Sequence, residues 1–98
     1  MIVRHARGAY PIERIAPDAL IPQLPEDCRI IADSNTRRLL PPDLAVFEIP
    51  VGEASKSLAM YADVAGTILR SNPRRQTVLV AVGGGVVGDL VGFVAATL

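Results

Sequence analysis

The chain has 98 residues, and 50% of them are hydrophobic, which is enough for one domain with a modest core. Ten basic residues balance ten acidic ones, so the sequence lacks the excess positive charge with which nucleic-acid-binding proteins neutralise phosphates. The single cysteine, Cys28, excludes an internal disulfide, and the N-terminus lacks the basic-then-apolar order of a secretory signal, so the expected location is the cytoplasm.

The first half of the chain predicts short elements. Tyr10, Ile12 and Ile15 indicate an extended segment, and residues 17–21 begin a brief helix. Residues 29–32 then form a short apolar strand, and the polar residues 33–35 that follow it favour turns and helix caps.

A second strand is predicted at residues 45–49. The helix that residues 36–40 begin between the two strands is broken by Pro41 and Pro42, because proline restricts its predecessor and cannot donate a backbone hydrogen bond.

The second half alternates helix and strand. Apolar residues recur at helical spacing from about Ser55 to Arg70, which predicts a helix with one apolar face that packs on a sheet. Asn72 and Pro73 end this helix, and residues 77–82 form a continuous apolar strand of the kind that is buried on both faces in parallel sheets. The order of elements predicts an α/β fold.

The last segment predicts a helix from about Gly88 onward. It has almost no polar face after Asp89, which is typical of a helix surrounded by protein, and it lacks a residue suited to a C-terminal cap. We expect that the chain is a fragment or that this apolar end docks against another subunit. Self-association or poor solubility is the corresponding expectation.

A membrane-spanning helix is a disfavoured alternative for residues 78–98. The three consecutive glycines would weaken a helix interior by about 1 kcal/mol each relative to alanine. Asp89 at the middle of a membrane would add about 2.5 to 3.5 kcal/mol. A strand, a turn and a short helix fit this segment better, so no membrane partner is expected.

Residues 77–89, TVLVAVGGGVVGD, have the form of a phosphate-binding turn. A strand that ends in glycines lets backbone N–H groups approach a ligand, and the following helix adds its unpaired amides and the positive end of its dipole. Gly83, Gly85 and Gly88 also satisfy the short pattern G-x-G-x-x-G. An ordinary tight turn between strand and helix is the alternative.

Two longer motifs resemble the 3-dehydroquinate synthase family. They are GGGVVGDLVGFVAATL at residues 83–98 and GEASKSL at residues 52–58, and the resemblance extends more loosely to YPIERI at residues 10–15 and IIADSN at residues 30–35. It implies an incomplete Rossmann-like α/β fold with a parallel sheet. Residues 1–98 would be the N-terminal part of the NAD-binding domain, and the C-terminal domain that binds metal and substrate would be absent from this chain.

The resemblance implies an NAD site made of residues from these motifs, which are Asp33, Asn35, Glu53, Lys56, Gly84, Gly85, Val86, Val87, Gly88 and Asp89. The turn would hold the pyrophosphate, and Glu53 would accept hydrogen bonds from the adenosine ribose. A carboxylate there repels a 2′-phosphate, so NAD is expected to bind more tightly than NADP.

The polar members of this set also have simpler interpretations. Asp33 and Asn35 suit the cap of the next short helix. Glu53 and Lys56 have the spacing of a surface ion pair on one helix face, and Asp89 suits a carboxylate at the start of a helix.

By resemblance, the parent protein is a lyase of the shikimate pathway, which serves aromatic amino acid biosynthesis. It would convert 3-deoxy-D-arabino-heptulosonate 7-phosphate to 3-dehydroquinate and phosphate with NAD and a divalent metal, zinc or cobalt, and would be a homodimer. The metal ligands and catalytic residues would lie after Leu98, and His5 and Cys28 do not make a metal site. Another sugar-phosphate cyclase, a glycerol-dehydrogenase-like enzyme and a truncated, non-catalytic nucleotide-binding module are the alternatives.

Overall fold

The structure is a computed structural model that describes residues 2–5, 8–11, 17–52 and 56–98. Its strands are β1 (Ile2–His5), β2 (Gly8–Pro11), β3 (Cys28–Asp33), β4 (Val46–Ile49) and β5 (Val78–Val82). Its helices are α1 (Pro17–Leu20), which continues as a 3-10 turn over Ile21–Gln23, α2 (Ser34–Arg37), α3 (Leu58–Arg70) and α4 (Gly85–Thr97).

Strands β1 and β2 pair in antiparallel fashion, and β3, β4 and β5 form a parallel sheet in the order β4-β3-β5. Tyr10 lies in β2, whereas the predicted continuation through Ile12 and Ile15 lies outside the described residues. The α/β class predicted from the sequence is confirmed, with the parallel sheet of a partial Rossmann-like domain.

The parallel sheet contains a topological switch point. The chain passes from β3 to β4 on one side and then crosses through α3 to β5 on the other side of β3. Open α/β sheets bind ligands at the carboxyl ends of the strands where the direction of winding reverses. The fold therefore singles out the ends of β3 and β5, at Asp33 and Val82, as the place for a ligand.

Each face of the sheet is covered by a different layer, because successive strand residues point to opposite faces. One core joins Ile31 and Ile49 to α3 and α4, and its other buried members are Val64, Ala65, Ile68, Val87, Leu90, Val91 and Val94. The other core joins Ile30 and Ala32 to Leu40, and Leu20, Leu24 and Leu44 pack against it.

Helix α3 forms where the apolar periodicity predicts it. Ser57 is the N-cap, and its side chain accepts a hydrogen bond from the backbone N–H of Met60 at 3.1 Å. The helix ends at Arg70, and Asn72 follows with φ 54°, a left-handed conformation that terminates helices. The prediction of the helix is confirmed, and the start lies three residues later than Ser55, which is outside the described residues.

Strand β5 is confirmed in position, but the prediction that both of its faces are buried is wrong. Within the described residues β5 pairs only with β3, so it lies at the edge of the sheet. Val78 and Ala81 are consequently exposed, while Leu79 packs against α4 and its neighbours.

Helix α4 differs from its prediction in two ways. It begins at Gly85 instead of about Gly88, because the glycines at 85 and 88 are accommodated in the helix itself. It is also not surrounded by protein, since Val94 is fully buried whereas Phe93 is 56% and Leu98 is 54% exposed. One sheet face covers one side of a helix, and the other side of α4 remains open. None of the helices in the described ranges has the length and apolarity needed to cross a membrane.

A capping box begins α2 and ties it to the sheet. Asp33 Oδ1 accepts hydrogen bonds from the backbone N–H groups of Asn35 at 2.9 Å and Thr36 at 2.8 Å. The Thr36 hydroxyl in turn donates to the carbonyl oxygen of Val82 at 2.6 Å. The hydrogen bond from the Thr36 backbone, followed by those from its hydroxyl and from Asn35, holds the pKa of Asp33 below its usual value of 3.8 despite opposing desolvation.

We predict that Asp33→Ala lowers the free energy of unfolding by about 1 kcal/mol, whereas Asp33→Asn changes it by less than about 0.5 kcal/mol, because asparagine caps helices as well as aspartate does. Urea denaturation near neutral pH measures both. Since the folded pKa of Asp33 is depressed, its ionised form stabilises the fold above about pH 3.8, and this contribution is lost as pH falls through the folded pKa. Wild type should therefore lose more stability on acidification than Asp33→Asn does, and parallel acid profiles would contradict the assignment.

Candidate nucleotide-binding site

The start of α4 presents unpaired backbone amides at the switch point. Gly84 is the N-cap and no side-chain cap is present, while the backbone N–H of Gly88 makes the first bond of the helix, to the Gly84 carbonyl at 3.2 Å. The N–H groups of Gly85, Val86 and Val87 therefore have no acceptor within the helix. Together with the positive end of the helix dipole they are suited to an anionic group.

The three glycines of the turn have different surroundings. A Cβ atom placed on Gly83 would lie 2.6 Å from Cγ2 of Val87 and 3.3 Å from Oδ2 of Asp33. A Cβ atom on Gly84 or Gly85 would meet no atom within 4 Å. Packing therefore explains the glycine at 83, whereas the open space at 84 and 85 leaves room for a ligand to approach the backbone.

Asp33 and Asn35 lie where the sequence predicts them, at the carboxyl end of β3 beside the glycine turn. The capping alternative describes what Asp33 does in this structure, because its Oδ1 atom receives the hydrogen bonds of the box. Its Oδ2 atom is the one directed at Gly83. A contact of Asp33 or Asn35 with a nucleotide stays a prediction.

An ion pair joins the two glycine-containing motifs. Lys56 Nζ lies 3.0 Å from Asp89 Oδ2, with 42% and 67% of the two side chains exposed. Glu53 lies outside the described residues, so its predicted pairing with Lys56 is not tested. The interpretation of Asp89 as a carboxylate at the helix start is wrong, because α4 begins at Gly85 and places Asp89 in the second turn.

The Lys56–Asp89 pair also borders a cavity of about 300 Å³ between α3 and α4. The rings of Tyr61 and Phe93, whose centroids are 4.9 Å apart, line it, and the Tyr61 hydroxyl is hydrogen-bonded to that of Thr97 at 2.7 Å. Sequence analysis missed this grouping, because α3 and α4 are far apart in the chain and only their packing brings the residues together.

Two further cavities lie at the opposite end of the sheet. One of about 370 Å³ is lined by Arg74, Arg75 and Thr77, and one of about 260 Å³ is lined by Cys28, Arg29 and Ala45. In the described part of the chain no three His, Cys, Asp or Glu side chains come close enough to hold a metal ion. The glycine turn, which lines none of these three cavities, is an open surface.

Comparison with known proteins places the second half of the chain in a family. Residues 46–98 match the family model for the N-terminal domain of 3-dehydroquinate synthase. A stretch of 54 residues is 50% identical to the pentafunctional AROM polypeptide of Schizosaccharomyces pombe. This stretch covers 55% of the chain but only 3% of that relative.

We predict opposite effects of alanine at two neighbouring glycines. Gly83→Ala should lower the free energy of unfolding by about 1 to 3 kcal/mol, because its methyl group collides with Val87. Gly85→Ala should leave it unchanged or raise it by up to about 1 kcal/mol, because the space is open and alanine is the better helix former. Urea denaturation compares the two, and an equal loss in both variants would contradict the distinction between them.

Proposed function

Because the chain belongs to the 3-dehydroquinate synthase family, we propose that it is part of the NAD-binding domain of such an enzyme. The proposed parent reaction converts 3-deoxy-D-arabino-heptulosonate 7-phosphate to 3-dehydroquinate and phosphate. The observation that carries the proposal is the uncapped start of α4, with open space at Gly84 and Gly85, at the switch point of a parallel sheet.

The diphosphate of NAD is proposed to bind at this turn. The amides of Gly85, Val86 and Val87 supply hydrogen-bond donors without a competing intrahelical acceptor. The bare backbone of Gly84 and Gly85 allows a phosphate oxygen to come within hydrogen-bonding distance. Gly88 lies one turn further along α4 and is also free of nearby atoms at its Cβ position.

The adenosine side is proposed to lie toward the end of β3. Asp33 and Asn35 are beside the turn, and Asn35 is exposed. Glu53 belongs to the second motif and is proposed to accept hydrogen bonds from the ribose. Lys56 and Asp89 complete the proposed cofactor-binding set at the side where the second motif meets α4.

NAD supplies a transient hydride acceptor for a substrate hydroxyl, and zinc or cobalt would polarise the reacting oxygen as a Lewis acid. This chain's proposed contribution is to bind and orient the cofactor, so we do not expect the 98 residues alone to turn over substrate. A cytoplasmic location and a homodimeric parent are part of the same proposal. Release of inorganic phosphate from the heptulosonate phosphate by the parent protein tests the reaction and separates it from that of other sugar-phosphate cyclases.

We predict that Gly85→Val abolishes NAD binding while leaving the fold intact, because its side chain would occupy the space proposed for the diphosphate. Isothermal titration calorimetry of the 98-residue chain with NAD measures the binding, and circular dichroism follows the fold.

Gly92→Val is the matched control for that titration. Gly92 lies in the same helix, is exposed and also has no atom within 4 Å of its Cβ position, but it is two turns away from the unpaired amides. Gly92→Val should retain NAD binding. Unchanged affinity in Gly85→Val, or equal loss in both variants, would refute the proposed diphosphate site.

The second prediction concerns cofactor choice. The chain should bind NAD more tightly than NADP, because a carboxylate that accepts a hydrogen bond from the 2′-hydroxyl repels a 2′-phosphate. Glu53→Gln should narrow the difference by removing the charge. Parallel titrations with the two dinucleotides measure it, and equal affinities in wild type would remove Glu53 and Asp33 from the role of reading the ribose.

A further inference from the structure

An ion pair lies beside the proposed diphosphate site and joins two distant segments of the chain. Lys56 precedes α3, and Asp89 is in the second turn of α4, with 3.0 Å between Nζ and Oδ2. Both side chains are substantially exposed, at 42% and 67%. Exposed pairs of this kind contribute little to folding stability, so stability gives no reason for its position.

The location of Asp89 poses an electrostatic problem for the binding of an anion. Four residues separate it from Gly85, which corresponds to about 6 Å along the axis of α4. This is less than the Debye length of about 8 Å at physiological ionic strength, so solvent ions do not screen its charge from the start of the helix. An uncompensated carboxylate there would repel a diphosphate and oppose the attraction of the helix dipole.

Resting on the proposed function, we propose that Lys56 and Asp89 act as a unit, in which Lys56 cancels the repulsion between Asp89 and the diphosphate. The pair also fixes the second motif against the helix that carries the glycine turn. Lys56 and Asp89 are therefore positioning residues, which act on NAD through the charge of the pair and not through two independent contacts.

This assignment makes a specific prediction for a set of charge variants. Lys56→Met should weaken NAD binding by about 5-fold, because it leaves the carboxylate uncompensated near two negative charges. Asp89→Asn should bind NAD at least as tightly as wild type. The double variant Lys56→Met with Asp89→Asn should return to within about 2-fold of wild type, since it removes the repulsion together with its compensation. Lys56→Arg, which keeps the charge, should also stay within about 2-fold.

Calorimetric titration of the 98-residue chain with NAD measures this series, and thermal unfolding verifies that each variant is folded. Adenosine, followed by ligand-observed NMR, is the probe without phosphate. Lys56→Met should leave adenosine binding unchanged, whereas a purely structural role would weaken adenosine and NAD alike.

The possible failures are distinguishable. A double variant as weak as Lys56→Met would overturn the inference by showing that Lys56 contacts the cofactor itself, and weakened binding in Asp89→Asn would do so by showing a direct contact of Asp89. Either result, in a chain that binds NAD and loses it in Gly85→Val, leaves the proposed function in place. Absence of NAD binding in the wild-type chain would overturn both.

Discussion

The parallel pairing of β3 with β5 is the constraint on which the rest of the structure depends. It aligns Ala32 with Val82, so the two strands end together and the capping box that follows β3 lies beside the glycine turn that follows β5. The Thr36 hydroxyl bonded to the Val82 carbonyl fastens the two ends to each other. Without this register the amides of α4 and the carboxylate of Asp33 would not share one edge of the sheet.

The glycine turn shows how a single motif serves both folding and binding. Gly83 is needed because the polypeptide passes too close to Val87 for a side chain, whereas Gly84 and Gly85 border open space. The folded chain thus keeps backbone donors exposed at a helix start that no side chain caps. Leaving such donors exposed forgoes the stabilisation that a cap supplies, which is consistent with a position kept for a ligand.

Sequence patterns predicted most of the fold because the relevant interactions are local. The helical spacing of apolar residues gave α3, and the apolar run before the glycines gave β5. The same approach failed for the burial of β5 and α4, because an apolar run does not reveal how many neighbours the folded chain places around it. It also misplaced the start of α4, since glycine has a low intrinsic helix propensity that tertiary packing overrides here.

The sequence by itself determined the α/β order of elements, the family likeness and the turn with bare amides, because each is written in consecutive residues whose backbone preferences are local. Only the tertiary structure decided which glycine is required by packing and that Lys56 pairs with Asp89 across two segments. It also decided that the Asp33 carboxylate is occupied by a helix cap. These features depend on distances between groups far apart in the chain, and the packing of the helices on the sheet sets those distances.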